Sequence, residues 1–272
     1  MTCRSRSDSF RPDEVPAVAG MTGAYRETAP LAPLRAHFLC AWSSELAPGQ
    51  SGDVAVLPDG CVDILWVGGR LCVVGPDVVA ARPQLAPGAR VLGLRFQPGA
   101  ARNWLGVPLS ELVGRRVGLD DLWGDRRAGH IAQRLRNCAT PDAQMRVLQD
   151  SLARQAVHES DALAPAASSR RAAHLFSSLA AADLAGLRTG QALDLSARSL
   201  RRLCLDHFGY GPKMLERILR LQRFVGLLRQ VPQASLAGLA AQAQYADQAH
   251  LSREVKALCG MTPSQLRAQA VG

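Results

Sequence analysis

The sequence predicts an α+β fold, with a small β-sandwich or barrel and flanking helices in the N-terminal part and an all-α C-terminal domain. The chain of 272 residues exceeds the roughly 100 to 200 residues of one ordinary domain, which favours two domains. Its composition, 47% hydrophobic and 20% charged, is typical of globular proteins. Short apolar stretches alternate with turns up to Phe96, whereas from Asp121 onward the apolar residues follow a helical period.

Five short apolar stretches between Leu34 and Phe96 predict antiparallel β strands. Gly68 and Gly69 separate two of these stretches, and a Gly-Gly pair adopts the positive φ angles that a tight hairpin turn requires. Residues 57–60, with the sequence LPDG, predict a second turn. The predicted strands are 37–42, 54–57, 61–67, 71–74 and 91–96, and a short helix is predicted at 98–105.

Two further helices are predicted before the C-terminal domain. Ile131 and Leu135 lie on one face of the first, and Thr140 predicts the N-cap of the second because Pro141 follows it. Residues 155–171, which contain a run of Ala and Ser, predict a linker. The predicted organisation is a disordered tail at 1–22, a β-rich sensor or oligomerisation domain with trailing helices at 23–160, and a helical domain at 161–272.

The C-terminal part carries most of the net positive charge. Residues 170–272 hold 14 Arg or Lys and 6 Asp or Glu, a net charge of +8, whereas the first 169 residues contribute only +1. Basic charge concentrated in one domain favours a polyanionic partner, although many soluble domains are basic without binding one.

Within this basic domain, residues 196–212 repeat at an offset of 51 as residues 247–263. Each copy predicts one short helix that ends at a glycine, Gly209 or Gly260. The same i, i+4, i+7, i+8 apolar stripe occurs in both copies and predicts a buried face. The predicted N-caps in this domain are Ser169, Ser196, Ser235 and Asp247.

The outward faces of the two repeated helices carry side chains that can read DNA. Arg pairs with guanine, Gln pairs with adenine, and a small residue leaves room for a thymine methyl group. A solvated basic face is the alternative for one isolated helix, but two capped copies favour paired helix-turn-helix units. These faces hold Arg198, Arg201 and Arg202 in the first copy and Gln248, Ala249, Ser252, Arg253 and Lys256 in the second.

A continuous apolar stripe between the copies predicts one long helix. Three further leucines fall outside the stripe, so the helix is expected to bury two sides, as a rigid spacer between two subdomains would. Lys213, Arg217 and Arg220 share another face and either position the module on phosphates or are simply solvated. The stripe consists of Met214, Ile218, Leu221, Val225 and Leu228.

The C-terminal domain contains the segments SLA at 235–237, YADQAHLSR at 245–253 and GMTPS at 260–264. Together with the copy at 196–212, these segments make the last 100 residues or so closely resemble AraC/XylS-type transcription regulators. In that family two helix-turn-helix subdomains, joined by a long helix, insert their recognition helices into successive major grooves. The resemblance assigns groove contacts to Arg198, Arg201, Arg202, Gln248, Ala249, Ser252 and Arg253, and places His250 toward the DNA backbone.

The sequence departs from the family pattern at two places. The first helix of the first unit, at 184–193, contains Gly186 and Gly190, so this unit is expected to contribute phosphate contacts more than sequence readout. Gln244 stands where the family usually has the turn glycine. We therefore expect a non-glycine residue at positive φ, at a cost of about 1 kcal/mol.

Three motifs resemble an uncharacterised β-rich domain that precedes some AraC-type modules. They are LPDGCVD at 57–63, VGP at 74–76 and GLRFQPGA at 93–100, and the resemblance implies a sensor or oligomerisation role. Asp63 and Arg95 lie in otherwise apolar strands. They predict either a ligand pocket with Trp66 and Trp104 or, as we favour, a structural ion pair.

The sequence predicts no enzyme, no catalytic residue, no cofactor and no metal site. It lacks the nucleophile elbow, the dinucleotide and P-loop motifs and H-E-x-x-H. The alternatives are a DNA-repair methyltransferase fused to an AraC-type module, for which no Pro-Cys-His motif is present, and a non-DNA interaction protein with a basic helical domain.

The predicted partner is double-stranded DNA, with an unidentified small-molecule effector and RNA polymerase as further candidates. No apolar run reaches the roughly 18 residues of a membrane span, so no membrane partner is expected. Seven scattered cysteines without a C-x-x-C motif favour a reducing cytoplasm. The chain is expected to be a monomer or a homodimer, the dimer forming through the apolar faces of helices at 125–157.

Overall fold

The computed structural model describes residues 17–18, 24–46, 54–159, 163–181 and 195–271. The strands are β1 (Ala17–Val18), β2 (Ala24–Thr28), β3 (Phe38–Glu45), β4 (Val54–Ala55), β5 (Asp63–Val67), β6 (Arg70–Val74), β7 (Arg90–Phe96) and β8 (Arg116–Gly118). The helices are α1 (Ala101–Leu105), α2 (Leu119–Trp123), α3 (Asp125–Arg136), α4 (Pro141–His158), α5 (Ala167–Ala180), α6 (Ala197–Phe208), α7 (Pro212–Gln230), α8 (Leu236–Gln242), α9 (Gln248–Cys259) and α10 (Pro263–Val271). Two 3-10 turns lie at Ala32–Leu34 and Leu109–Glu111.

Six of the strands form one antiparallel sheet in the order β2-β3-β7-β5-β6-β8. The hairpin between β5 and β6 turns at Gly68 and Gly69, whose φ angles of 57° and 75° are those that the Gly-Gly pair predicted. A helical C-terminal region follows the sheet region. The α+β class predicted from the sequence is therefore confirmed.

The sequence pattern missed three strands. β2 has the sequence AYRET and lies at the edge of the sheet, so its outward residues are polar and no apolar alternation marks it. β8 has only three residues. Ala17–Val18 pairs in parallel with Val54–Ala55, which differs from the disordered tail predicted at 1–22; the rest of that tail lies outside the described residues.

One face of the sheet packs against α1, α3 and α4 to form the N-terminal core. The Phe38 and Phe96 rings stack with centroids 4.5 Å apart, and Trp104 of α1 meets Phe38 edge-on at 5.0 Å. Thr140 caps α4 as predicted, because its side chain accepts a hydrogen bond from the Ala143 backbone N–H.

The apolar faces of α3 and α4 lie inside this core. Ile131 and Leu135 of α3, and Leu148 and Leu152 of α4, are all buried there. These are the faces that were predicted to form a dimer contact. The structure corrects that prediction, because these residues are buried within the N-terminal core of a single chain.

The C-terminal helices form two cores that share α7. Leu215, Ile218 and Leu219 pack with α5 and α6, whereas the next two turns pack with α8, α9 and α10. The predicted burial of two sides of this helix is therefore observed. Ser169, a predicted N-cap, instead lies within α5 and is buried, and Ala166 occupies the cap position.

The N-terminal domain contacts both halves of the helical region through main-chain atoms. Gln222 Nε2 of α7 donates to the Pro58 carbonyl at 2.7 Å, and the Ala80 N–H donates to the Leu258 carbonyl of α9 at 2.7 Å. His207 of α6 is hydrogen-bonded through Nδ1 to the Gly99 carbonyl at 3.0 Å. We call this set of contacts the seam.

Gly99 has a φ of 84°, and a Cβ atom there would lie 2.7 Å from the Ser169 carbonyl and 3.0 Å from the Ala172 side chain. We expect Gly99→Ala to lower the free energy of unfolding by about 3 kcal/mol, since overpacking adds to backbone strain. Gly106→Ala is the matched control, because its φ is 75° but no atom lies within 4 Å; it is expected to cost about 1 kcal/mol. If urea unfolding shows equal losses of stability for Gly99→Ala and Gly106→Ala, the close approach of α5 to Gly99 is contradicted.

His207 gives the seam a pH dependence. Burial lowers its pKa from the ordinary value of 6.5, against an opposing contribution from the Gly99 hydrogen bond. Because the unfolded chain then binds the proton first as the pH falls, the folded state loses stability from about pH 6.5 downward, by up to about 1.4 kcal/mol per pH unit. His207→Asn keeps an N–H donor and does not titrate.

We therefore expect the wild-type protein to lose stability relative to His207→Asn between pH 7 and pH 5, measured by urea unfolding. Burial raises the pKa of Asp77 to about 6, which acts in the opposite direction. Both proteins contain Asp77, so its contribution cancels in the comparison. A difference that stays constant over this range would show that His207 is not held neutral.

Candidate nucleic-acid interface

The two repeated segments fold as helices of equal length with matching ends. α6 and α9 each contain 12 residues. The Ser196 hydroxyl accepts from the Ser199 N–H at the start of α6, and the Asp247 carboxylate accepts from the His250 N–H at the start of α9. Gly209 and Gly260 end them at φ angles of 83° and 71°. The predicted caps and stops of both helices are confirmed.

Each helix buries one face and exposes the other. Leu200, Cys204 and Phe208 of α6 are buried in the first C-terminal core. Leu251 and Val255 of α9 are buried in the second. Because the apolar stripe fixes the rotation of each helix, the polar residues between the stripe positions must face outward.

The outward face of α6 is a row of exposed cations. Arg198, Arg201 and Arg202 are all exposed. Within the described part of the chain, none of the three makes a salt bridge. Their guanidinium groups are therefore available to an external anion.

The outward face of α9 combines free and engaged side chains. Gln248, Ala249 and Arg253 are exposed, whereas the Ser252 hydroxyl donates to the Gln248 carbonyl at 2.9 Å. Lys256 Nζ donates to the Gly260 carbonyl at 2.9 Å, so its charge lies at the end of the helix. Gln248, Ala249 and Arg253 therefore form the part of this outward face that, within the described residues, is exposed and makes no side-chain hydrogen bond.

His250 lies at the edge of the same face with its ring fixed. Its Nδ1 accepts a hydrogen bond from the Ala246 N–H at 3.2 Å, and the ring meets Tyr245 edge-on at a centroid distance of 5.4 Å. Since Nδ1 accepts, the proton of the neutral ring is on Nε2, which can donate outward.

The cation row predicted on α7 is largely engaged within the protein. Arg217 donates to both carboxylate oxygens of Glu254, at 2.7 and 3.2 Å, which ties α7 to α9. Arg220 lies over the Tyr245 ring at 5.6 Å from its centroid. Lys213 is exposed. Phosphate contacts and plain solvation were the two alternatives for this row, and two of its three residues instead contact other side chains of the protein.

Gln244 has a φ of 62° in the turn between α8 and α9, as the missing glycine predicted. Its side-chain Oε1 accepts a hydrogen bond from Arg223 Nη1 of α7 at 3.0 Å. The sequence analysis missed Arg223. Gln244 in place of the turn glycine was the one signal in the sequence, because it indicates that a side chain is needed at this position. The predicted helix at 184–193 lies outside the described residues.

The four residues predicted as a ligand pocket do not lie together. Asp63 and Arg95 are cross-strand neighbours with Arg95 Nε 3.3 Å from Asp63 Oδ1. Trp66 and Trp104 are buried in the N-terminal core on the other face of the sheet. Successive residues of a strand point to opposite faces, which separates Asp63 from Trp66 and corrects the predicted pocket.

Asp63 and Arg95 instead form an internal ion-pair network. Arg95 Nη2 also lies 3.3 Å from Asp59 Oδ2, and Trp42 Nε1 donates to Asp63 Oδ1 at 2.9 Å. Trp42 lies across Gly93, where any side chain would collide with it. Burial raises the pKa of Asp63, and the charge of Arg95 opposes this shift. The arrangement matches the structural ion pair that we favoured.

Two family models match separate parts of the chain. Residues 190–269 match a family model described as a helix-turn-helix domain, and residues 26–118 match one described as a domain of unknown function (DUF6597). No curated protein matches the chain. No helix in the part that the structure describes is long and apolar enough to cross a membrane.

Solved structures of ToxT from Vibrio cholerae are similar at low identity. An apo variant from strain SCE256 is 12% identical, with 85% of this chain and 97% of that chain covered and a TM-score of 0.44. ToxT from strain O395 is 10% identical, with 85% and 98% covered and a TM-score of 0.45. The unsaturated fatty acid-bound wild-type protein is 11% identical, with 86% and 95% covered and a TM-score of 0.44.

The chain carries a C-terminal helix-turn-helix domain of the AraC type behind a distinct N-terminal domain. Its class is that of DNA-binding transcription regulators.

Proposed function

We propose that the protein recognises a specific DNA site by inserting α6 and α9 into successive major grooves on one face of the duplex. The observation that carries the proposal is the pair of equally long, capped helices with exposed polar faces. The 19 residues of α7 give a spacer of about 28 Å, of the same order as the roughly 34 Å between successive grooves. The expected site has two blocks about 10 bp apart.

The two helices contribute different contacts in this proposal. Gln248, Ala249 and Arg253 of α9 read base edges, and Ser252 borders them. His250 Nε2 donates to a phosphate group. Lys256, at the C-terminal end of α9, contacts the backbone of the same DNA strand. Arg198, Arg201 and Arg202 of α6 contribute phosphate contacts more than base readout, and the base contacts that they do make define the second block of the site.

Selection of genomic fragments with the purified full-length protein, at two salt concentrations, tests the proposal. A motif with two blocks about 10 bp apart supports it. If the selected fragments share no motif, the basic faces bind only phosphate groups. That result would favour the alternative of an interaction protein whose partners are not DNA.

Arg253→Ala is expected to lower affinity for the selected site by about 1 to 3 kcal/mol while sparing non-specific DNA, because a bidentate base contact is lost. Arg201→Ala is expected to weaken binding to all sequences and to reduce the salt slope by about 1. Arg146→Ala, on the exposed surface of α4, is the control for loss of one charge. Filter binding or anisotropy across salt concentrations measures these effects. Equal losses on random DNA for Arg253→Ala would remove its base-reading role.

The domain boundaries in this proposal are 23–160 for a sensor or oligomerisation domain and 161–272 for DNA binding, with the protein acting in the cytoplasm. Contact of the N-terminal domain with both α7 and α9 supports a controlling role for it. The proposal assigns no catalytic residue and leaves RNA polymerase and a small-molecule effector as candidate partners.

If the seam orients the DNA-binding helices, Gln222→Leu should change affinity for the selected site. The substitution removes the hydrogen bond to Pro58 while leaving the faces of α6 and α9 intact. We expect a change of about threefold or more, equivalent to the roughly 0.5 to 1.5 kcal/mol of one hydrogen bond. Gln230→Leu, at the exposed end of α7, is the matched control. If neither Gln222→Leu nor Gln230→Leu changes the affinity for the selected site, the seam does not influence DNA binding.

A further inference from the structure

One guanidinium group links the two helix-turn-helix units. Arg223 of α7 donates through Nη1 to Gln244 Oε1, in the turn that precedes α9, at 3.0 Å. Its Nη2 donates to the carbonyls of Leu179 and Ala180, at the end of α5, at 3.2 and 3.5 Å. The side chain is half-buried between these partners.

Each end of this bridge is packed against a DNA-facing helix. At one end, Leu179 lies in the same core as Leu200 and Phe208 of α6, and the rings of Phe176 and Phe208 are 5.9 Å apart. At the other end, Gln244 lies in the turn that leads into α9. A displacement of either helix-turn-helix unit would therefore stretch the contacts of Arg223.

Arginine suits this position better than lysine does. Its guanidinium is planar and holds its donors in a rigid fork, so it can serve acceptors in two directions at once. The last carbonyls of a helix lack intrahelical partners and carry partial negative charge, which makes the end of α5 a favourable site for a cation. Burial and the neighbouring Arg220 lower the pKa of Arg223, but an arginine remains protonated in proteins.

The hydrogen bond from Arg223 explains why the turn between α8 and α9 contains a strained glutamine. Gln244 adopts a φ of 62°, which glycine would adopt without a steric cost. Glycine would leave Arg223 without the amide oxygen that it contacts. The strain of about 1 kcal/mol thus accompanies a contact that only a side chain can make.

We propose that Arg223, through Gln244, is a positioning residue that fixes the spacing between α6 and α9 and so makes binding sensitive to the distance between the two DNA blocks. This inference rests on the proposed function, in which both helices enter the DNA. Arg223 itself touches no base in this proposal. Arg223 affects which spacings between the two blocks the protein accepts. It does not affect the affinity for a single block.

The test compares affinities for the selected site, for the same site with one or two base pairs inserted between its blocks, and for a single block. Each inserted base pair rotates the second block by about 35° and moves it by about 3.4 Å. The wild-type protein is expected to lose about tenfold or more in affinity on insertion. Arg223→Lys and Gln244→Gly are expected to lose no more than about threefold, with single-block affinity unchanged.

Gln244→Glu is the conservative control, because its carboxylate keeps an acceptor for Arg223. It should retain the wild-type spacing ratio even if the added negative charge weakens binding to all DNA. Gln244→Gly also relieves backbone strain, so it keeps the test valid if Arg223→Lys folds poorly. Circular dichroism and thermal unfolding confirm that each variant is folded.

The outcomes separate the inference from the proposed function. Variants that keep the wild-type spacing ratio would overturn the positioning role alone. Equal losses by Arg223→Lys on spaced, single-block and random DNA would also overturn it, because they would indicate a direct phosphate contact. A wild-type protein without any spacing preference would overturn the proposed two-groove function and this inference with it.

Discussion

The two C-terminal cores depend on α7, a single helix that is buried on two sides. Seven of its residues are buried, three in the first core and four in the second. Burial of one such side chain contributes about 1.5 to 3 kcal/mol, so neither unit can leave the helix without a large loss. A straight hydrogen-bonded helix also resists bending. The orientation of α6 relative to α9 is consequently a property of α7 and of the side chains that hold its ends.

The cations of this region fall into two groups that differ in their surroundings. Arg217, Arg220 and Arg223 have protein partners on α9, in the turn before it or at the end of α5. The arginines on the outward faces of α6 and α9 lie in solvent. Exposed cations of the second kind can displace counterions from DNA without first losing a protein contact. Net charge alone would overstate the number of phosphate contacts.

Local features of this chain were predictable from the sequence, and long-range ones were not. The Gly68-Gly69 hairpin and the Asp247 cap follow from residues close together in the chain, and the positive φ of Gln244 follows from the family resemblance, which places a glycine at this turn. The pocket alternative was wrong because it grouped Asp63 and Trp66 by residue type, although strand alternation places residues three positions apart on opposite faces of the sheet. The bridge made by Arg223 joins segments 21 and 44 residues away from it, and no spacing rule connects them.

The seam is built largely from main-chain groups, and this affects how it can change over evolutionary time. The acceptors at Pro58, Gly99 and Leu258 are carbonyl oxygens, and the donor at Ala80 is a backbone N–H. Every amino acid supplies such a carbonyl, and every one except proline supplies the N–H. Neutral drift can therefore alter side chains along the seam while the docking persists. Homologues can share this docking with little sequence identity at the contact, and substitution patterns would reveal it chiefly at Gln222, His207 and Gly99, where an added Cβ atom has no room.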